Sequence, residues 1–282
     1  MLWMACGGAE GPPPDPPPRP LLVRVGSKAA MHSPRPDPGD VVVLVPARDE
    51  AANLPPLLAS LQSAGIREVV VVDNGSRDDT ARVAAGAGAR VVTEPRPGYG
   101  RACLAGLATL DHLEPTPEVV VFMDADGSDD PALLSRLAGP CLEGRAEMVV
   151  GVRLPTEEGR REPGKERARQ GTRWVLALAR LLHGLRSRDL GPFRAIRTDA
   201  LGCLAMDDPT WGWTLQMQLR AHHLGLRVLE VEVPARPRRS GTSKVSGSLV
   251  MSVRVGVRML WTLLRERVRA ARLRKPSAPS RP

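Results

Sequence analysis

An α/β fold, with a mostly parallel central sheet flanked by helices, is predicted by three features of the sequence. Short runs rich in valine recur at 41–45, 69–72, 119–123 and 147–151. Stretches with helical spacing or helix-start chemistry lie between them. Several of the runs end abruptly in acids. Unbroken apolar runs of this length read as strands buried on both faces. Strict strand–helix alternation reads as a parallel sheet, and such sheets bind ligands beyond the carboxyl ends of their strands.

The elements follow in order. Val41 to Val45 is the first strand and Pro46-Ala47-Arg48-Asp49-Glu50 the loop after it. Ala51 to Ala64 reads as a helix, with Pro55-Pro56 near its start, where proline is tolerated. Val69 to Val72 is the second strand and runs into Asp73-Asn74-Gly75-Ser76. Asp78 and Asp79 open the next helix, at the end where the dipole favours acids. Val91-Val92 is a short third strand, Pro97 to Gly100 a turn and Arg101 to Leu110 a helix. The fourth strand, 119–123, ends in Asp124-Ala125-Asp126-Gly127, and Pro131 starts a further helix. Glu147 to Gly151 is the fifth strand. Polar residues 156–172 read as a mobile loop before a helix over 171–186, whose Trp174, Leu178, Leu181, Leu182 and Leu185 form a stripe that faces core or, in part, lipid. A turn at Asp189 to Arg194 leads into a short strand, and a helix follows Trp211 to Thr214. Val228 to Val233 alternates apolar residues with Glu and reads as a half-exposed edge strand.

Asp124 and Asp126 share one face of their strand, since side chains at i and i+2 point the same way. Two close carboxylates repel unless a cation lies between them. Oxygen ligands suit Mg2+ or Mn2+, which keep waters and bind substrate phosphates. An isolated Asp-x-Asp is more often a polar turn. Here Glu50, Asp73 and the Asp124/Asp126 pair lie at three strand ends that converge on one crevice.

The net charge of +9 is unevenly placed. Residues 236–282 hold thirteen Lys/Arg against one acid, Glu266, so this segment carries +12 and the rest of the chain about −3. Such a segment points to nucleic acid, an anionic membrane or a phosphorylated substrate. Four scattered cysteines make neither a metal site nor a disulfide scaffold. The N-terminus has no h-region, and no apolar run reaches the roughly 18 residues that span a bilayer. The expectation is a cytoplasmic protein without signal peptide or transmembrane helix, peripheral at the inner face of the membrane if it meets lipid at all. Residues 1–38, rich in Pro and Gly, are expected to be disordered, with Met31 a second candidate start. The main domain is expected over 39–240 and a basic amphipathic segment over 241–282.

Six motifs, in this order and spacing, resemble the family 2 glycosyltransferases of GT-A fold. They are Val45-Pro46-Ala47-Arg48-Asp49-Glu50, Val72-Asp73-Asn74-Gly75-Ser76, Asp124-Ala125-Asp126-Gly127, Asp189-Leu190-Gly191-Pro192-Phe193-Arg194, Gly212-Trp213-Thr214 and Arg238-Arg239-Ser240-Gly241-Thr242-Ser243-Lys244. The branch that makes polyprenyl- or dolichyl-phosphate sugars is the most similar, over about residues 40–250. The resemblance implies an inverting, metal-dependent transferase that uses a nucleotide sugar, more in keeping with uridine than guanosine. Pro46, Ala47 and Glu50 would contact the donor nucleoside and Asp73 its base. Asp124 and Asp126 would be the family's metal motif and touch the donor, with Asp126 the direct ligand of Mg2+ or Mn2+. Arg238, Ser243 and Lys244 would hold phosphate of donor or acceptor, in line with the chemistry of those groups.

At Gln216 relatives often carry Glu, in a Gly-Trp-Thr-x-Glu-Met-Gln pattern. A hydroxyl acceptor needs a base to take its proton, and Gln cannot serve. A lipid phosphate is already an anion. Gln216 therefore leans toward a phosphate acceptor such as a polyprenyl phosphate over a saccharide or small-molecule hydroxyl, and it also leaves open a nucleotide-sugar-binding relative without catalysis. Asp189 is the remaining acid for acceptor positioning or base work.

Leu249 to Arg269 reads as an amphipathic helix. Leu249, Val250, Val253, Val257, Leu260, Trp261, Leu263, Leu264 and Val268 lie on one face, and Arg254, Arg258, Arg265 and Arg269 on another. It either lies in the interface of an anionic membrane or packs on its own domain with a solvated arginine face. Nucleic-acid binding leaves the Asp-x-Asp unexplained, and the arginines are not interleaved with aromatics, so no nucleic-acid partner is expected.

Overall fold

The computed structural model describes residues 40–156, 165–240 and 249–273. The 1–38 segment, Ser243 and Lys244 lie outside these residues. One sheet holds β1 (Val41–Ala47), β2 (Glu68–Asp73), β3 (Arg90–Thr93), β4 (Val119–Phe122), β5 (Met148–Pro155), β6 (Arg194–Arg197) and β7 (Val228–Ala235), in the order β3-β2-β1-β4-β6-β5-β7. Neighbours pair in parallel, except that β6 runs against both β4 and β5. The reversal matters for the site. It brings the residues that precede β6, including Asp189, to the edge where the other strands end.

The helices are α1 (Leu54–Ser63), α2 (Thr80–Gly86), α3 (Tyr99–Leu107), α4 (Leu134–Leu142), α5 (Lys165–His183), α6 (Thr198–Leu204), α7 (Trp213–His223) and α8 (Leu249–Leu273). Side-chain alternation along β1 explains its unbroken apolar run. Val43 and Val45 join a core with Leu58 of α1 and Leu137 of α4. Val42 and Leu44 join a second core with Cys103 of α3, Leu201 of α6 and Trp213 of α7. The Trp213 ring lies 6.2 Å from that of Phe122 at a tilt of 58°, a favourable aromatic geometry. A third, smaller core forms where α5, α7 and α8 meet, around Leu176, Leu215, Leu219 and Leu263, and it also encloses Leu185 and Leu190.

Several expectations change. The polar stretch expected as a loop through 172 is already helical from Lys165, supported by Glu166–Arg169 and Glu166–Gln170 contacts one turn apart. α6 was not anticipated, and the Thr198 and Gly202 of its Thr-Asp-Ala-Leu-Gly-Cys-Leu sequence give a weak helical signal. β7 is the edge strand expected, but Glu230 is buried, where it accepts from the Ser187 hydroxyl (2.7 Å) and the Arg188 N–H (2.9 Å). In the α5 stripe, Leu178 and Leu182 pack on the third core while Trp174 and Leu181 are exposed.

α8 differs most. It packs on the body through Leu263, Thr262 and Glu266, all fully buried, with its arginine side partly inward. Arg258 approaches Asp208 (3.5 Å), and Arg265 approaches Asp207 (3.2 Å). Of the apolar residues expected to face a core or a membrane, Val253, Val257, Leu260, Trp261, Leu264 and Val268 are turned outward, and Leu263 alone of those described points into the body. Gly212 makes the close packing possible, because a Cβ there would lie 2.2 Å from Thr262 Oγ1 and 2.3 Å from Asp208 Oδ2.

Candidate active site

The site assembles along the carboxyl edge of β2, β1, β4 and β5. Pro46 and Ala47 close β1, with Ala47 paired to Asp73 across β2. Glu50 follows at a tight turn in which Asp49 takes φ +50°. The Glu50 N–H donates to Thr80 Oγ1 (2.8 Å) and its carboxylate accepts from Asn53 Nδ2 (2.6 Å), so the acid is fixed and buried.

Asp73 ends β2, and its Oδ1 accepts from the Ser76 N–H (3.0 Å). Asn74 is structural. Its amide donates to the carbonyls of Glu94 and Arg96 (both 2.9 Å) and accepts from the Gly98 N–H (2.8 Å). Gly75, at φ +71°, is required because a Cβ would meet the Pro95 carbonyl at 2.9 Å. The polar turn and the site acid thus coexist in one motif.

The Asp-x-Asp is a cluster of three acids. The Asp124 N–H donates to Asp129 Oδ2 (3.0 Å), folding the Asp-Gly-Ser-Asp loop back on the strand end. Asp126 Oδ1 accepts from the Ser128 N–H (2.9 Å) and its Oδ2 pairs with Arg238 (2.8 Å). Burial, then the neighbouring carboxylates, push the Asp124 carboxyl well up from its ordinary value. Burial likewise raises Asp129, with Asp126 adding to the effect. Sequence reasoning missed Asp129. Its signal was the acid three residues beyond Asp126.

Arg238 lies across this cluster, 2.8 Å from Asp126 and 3.7 Å from Glu50. Two contacts hold its segment in place. The Arg239 N–H donates to the Asp126 carbonyl (3.0 Å), and the Ser240 hydroxyl donates to Asn53 Oδ1 (2.7 Å). The motif therefore joins Glu50 and Asp126 through one guanidinium. A cavity of about 510 Å3 opens beside it, lined by Asn53, Leu57, Gly127, Asp129, Arg236 and Arg239 among others.

On the other side stands Arg153, near the end of β5, which the sequence reading did not single out. It grips Asp189 with two parallel bonds, Nε to Oδ2 (2.8 Å) and Nη2 to Oδ1 (2.9 Å). The Arg153 and Leu190 N–H groups donate to the same carboxylate (3.0 and 2.7 Å). Burial raises the Asp189 pKa, but the bonds and charge of Arg153 outweigh it and hold the carboxyl below its ordinary value. Asp189 is thus poorly suited to base work. It orients Arg153, whose positive charge also acts on Asp124 and Asp129.

Gln216, read as a site residue, lies in the seam between α7 and α8. Its Oε1 accepts from the N–H groups of Asp207 (3.1 Å) and Asp208 (2.9 Å). Its Nε2 donates to Asp207 Oδ1 (2.6 Å) and Glu266 Oε1 (2.8 Å). That exhausts the capacity of a primary amide. The side chain is fully buried, so its role is to join the helices.

A GT-A sheet with acids at three strand ends and arginines on both sides defines a sugar-nucleotide type of transferase. The family model Glycosyl transferase family 2 matches residues 42–204. The chain belongs to this family and is a glycosyltransferase. It is 41% identical over 227 residues to an uncharacterized glycosyltransferase of Mycobacterium tuberculosis, covering 80% of this chain and 99% of the relative. It is 32% identical to the undecaprenyl-phosphate mannosyltransferase of Micrococcus luteus, covering 81% and 98%. It is also similar in structure to the glucosyl-3-phosphoglycerate synthase of Mycobacterium tuberculosis, solved in complex with Mn2+, UDP-glucose and phosphoglyceric acid. That likeness has a TM-score of 0.63 at 26% identity and covers 81% of this chain and 79% of the other.

Proposed function

We propose that the chain moves a sugar, with inversion, from a nucleoside diphosphate sugar of the uridine type to a polyprenyl phosphate. Glu50 and Asp73 bind the nucleoside with Pro46 and Ala47. Arg238, with Ser243 and Lys244, binds phosphate. Arg153, oriented by Asp189, receives the acceptor phosphate. An acceptor oxygen attacks the anomeric carbon as the bond to the nucleoside diphosphate breaks, and the diphosphate leaves with that electron pair. The observation that carries the lipid-phosphate reading is the commitment of Asp189 and Gln216. Asp189 accepts four hydrogen bonds and Gln216 has no spare capacity. An acceptor that arrives as an anion needs no base. The mannosyltransferase relative from Micrococcus luteus supports the same acceptor class.

Asp124 and Asp126 fit a divalent cation, Mg2+ or Mn2+. Burial and the neighbouring carboxylates disfavour the charge on Asp124, and among the described residues no three ligating side chains form a closed cage. Such ions are commonly held by one or two carboxylates together with substrate phosphate. When bound, the ion neutralises the charge that develops on the leaving diphosphate. A pH dependence follows. Asp129 is raised from 3.8 to about 7, so its contribution to stability is complete below the first value and is lost as pH rises through the second. A cation offsets that loss. Added Mn2+ is expected to raise Tm more at alkaline pH than at mildly acidic pH, and an equal shift at both would count against the site.

The decisive assay mixes purified protein, Mn2+ or Mg2+, and a panel of labelled UDP- and GDP-sugars with polyprenyl phosphate, using Asp126→Ala as control. Labelled lipid from the wild type alone is expected. Transfer only to a saccharide or small-molecule hydroxyl would replace the acceptor assignment, and nucleotide binding with no transfer would indicate a binding relative. The same reading puts the protein in the cytoplasm, at the inner membrane face, with 249–269 toward anionic lipid.

A further inference from the structure

The apolar side chains that α8 leaves outside do not stand alone. Val253, Val257, Leu260, Trp261, Leu264 and Val268 form one outward stripe, between 45% and 62% exposed. It runs for about 22 Å at the helical rise of 1.5 Å per residue. α5 packs beside α8 and presents Trp174 and Leu181, 74% and 79% exposed. Soluble surfaces rarely expose this many large apolar side chains together.

The charge around them has one sign. Arg254, Arg267 and Arg272 on α8 and Arg173 and Arg180 on α5 are exposed. Glu266 is the one acid of α8 and is buried. α5 has no acid after Glu166 in its first turn. The orientation is built in, because Arg258 and Arg265 are tied to Asp207 and Asp208 and Thr262 donates to Asp208 Oδ2 (3.1 Å). Rolling α8 to hide its apolar stripe would break these contacts.

We infer that α5 and α8 form a two-helix platform that seats the protein sideways on an anionic bilayer, with Trp174 and Trp261 at headgroup depth. Exposed apolar stripes edged by arginine, with tryptophan among them, are the chemistry of interfacial helices. Among the described residues no helix is long and apolar enough to cross a membrane. The platform also reaches the site. The core it shares with α7 encloses Leu190, whose neighbour Asp189 orients Arg153. The inference deepens the lipid-acceptor reading and rests on it for its purpose.

The test is co-sedimentation of the full chain with vesicles that contain no polyprenyl phosphate. One set is phosphatidylcholine alone, and the other includes about one third phosphatidylglycerol. Strong partitioning to the anionic vesicles is expected, with at least a tenfold loss in Trp174→Ser/Trp261→Ser/Leu264→Ser. Arg254→Glu/Arg267→Glu should remove the preference for anionic lipid. All these side chains are exposed, so Tm should hold in both variants. Wild type that stays in the supernatant, or a triple variant that partitions equally, would overturn the platform. So would a stable dimer in sedimentation velocity that the triple variant abolishes, since the face would then join two copies. A water-soluble short-chain polyprenyl phosphate separates the two readings. The triple variant should still transfer sugar to it if the acceptor assignment is right. If vesicles bind but neither wild type nor variant transfers to any lipid phosphate, the acceptor assignment fails and the platform stands.

Discussion

Asp126→Asn is expected to lower kcat/KM by about a thousandfold or more while leaving Tm nearly unchanged. The substitution separates charge from shape. Asp126 Oδ1 accepts from the Ser128 N–H (2.9 Å), and the Asn carbonyl can keep that bond, so the loop after β4 should hold. Oδ2 pairs with Arg238 at 2.8 Å, and there the amide presents N–H groups to a guanidinium. Arg238 loses its nearer acid and keeps Glu50 at 3.7 Å. The variant thus loses a negative charge in a buried crevice, where charge interactions are poorly screened. Nucleotide contacts on Glu50 and Asp73 remain, so binding of the free nucleoside should change little. Steady-state kinetics beside a nucleotide titration would check both parts. A variant within tenfold of wild type would show that Asp126 has no part in stabilising the transition state. A large loss accompanied by a falling Tm would assign it to the fold instead.

How much of this was legible in the sequence can be judged from particular residues. Val41–Val45 and Val119–Phe122 could be placed because a strand buried on both faces must be apolar throughout, and both are fully buried. Glu50, Asp73, Asp124 and Asp126 could be brought together because parallel strands put their ends on one edge. The edge position of β7 was also legible, since Glu alternates with Val there. Arg153 was not legible. A single arginine after an apolar strand is unremarkable until β6 is known to run backwards and carry Asp189 beside it. Gln216 misled for a related reason. Its partner Glu266 lies 50 residues away on a helix whose docking no local pattern encodes. The amphipathic pattern of α8 was read correctly as a pattern, but a pattern does not say which face turns inward. The inward face was chosen by buried ion pairs.

Those ion pairs support the second large effect. Glu266→Ala is expected to destabilise the protein by about 3–5 kcal/mol, because removing one partner leaves a buried charge uncompensated. Arg220 donates to Glu266 through Nε (2.9 Å) and Nη2 (2.8 Å) and also reaches Asp207 (2.8 Å) and the Leu204 carbonyl (3.1 Å). Glu266 also accepts from Gln216 (2.8 Å) and Arg265 (3.2 Å). Burial raises the Glu266 pKa, but the bonds from Arg220 outweigh it, so the carboxyl lies below its ordinary 4.5. Its contribution is therefore present above that value and is lost as pH falls through the lower, folded one. At neutral pH the variant forfeits all of it. For a chain of this size the loss corresponds to a Tm lower by about 6–20 °C, measurable by calorimetry. Glu266→Leu combined with Arg220→Met should recover most of it, since replacing a buried pair with apolar groups is often nearly neutral. A single variant within about 1 kcal/mol of wild type would mean that the seam is already wet. The double variant carries a further consequence. It leaves Arg258, Arg265 and Thr262 tied to Asp207 and Asp208, so α8 should keep its orientation and vesicle binding should persist. Binding that weakens although every exposed apolar side chain is still present would show instead that the Arg220–Glu266 pair decides which face of the helix is outside.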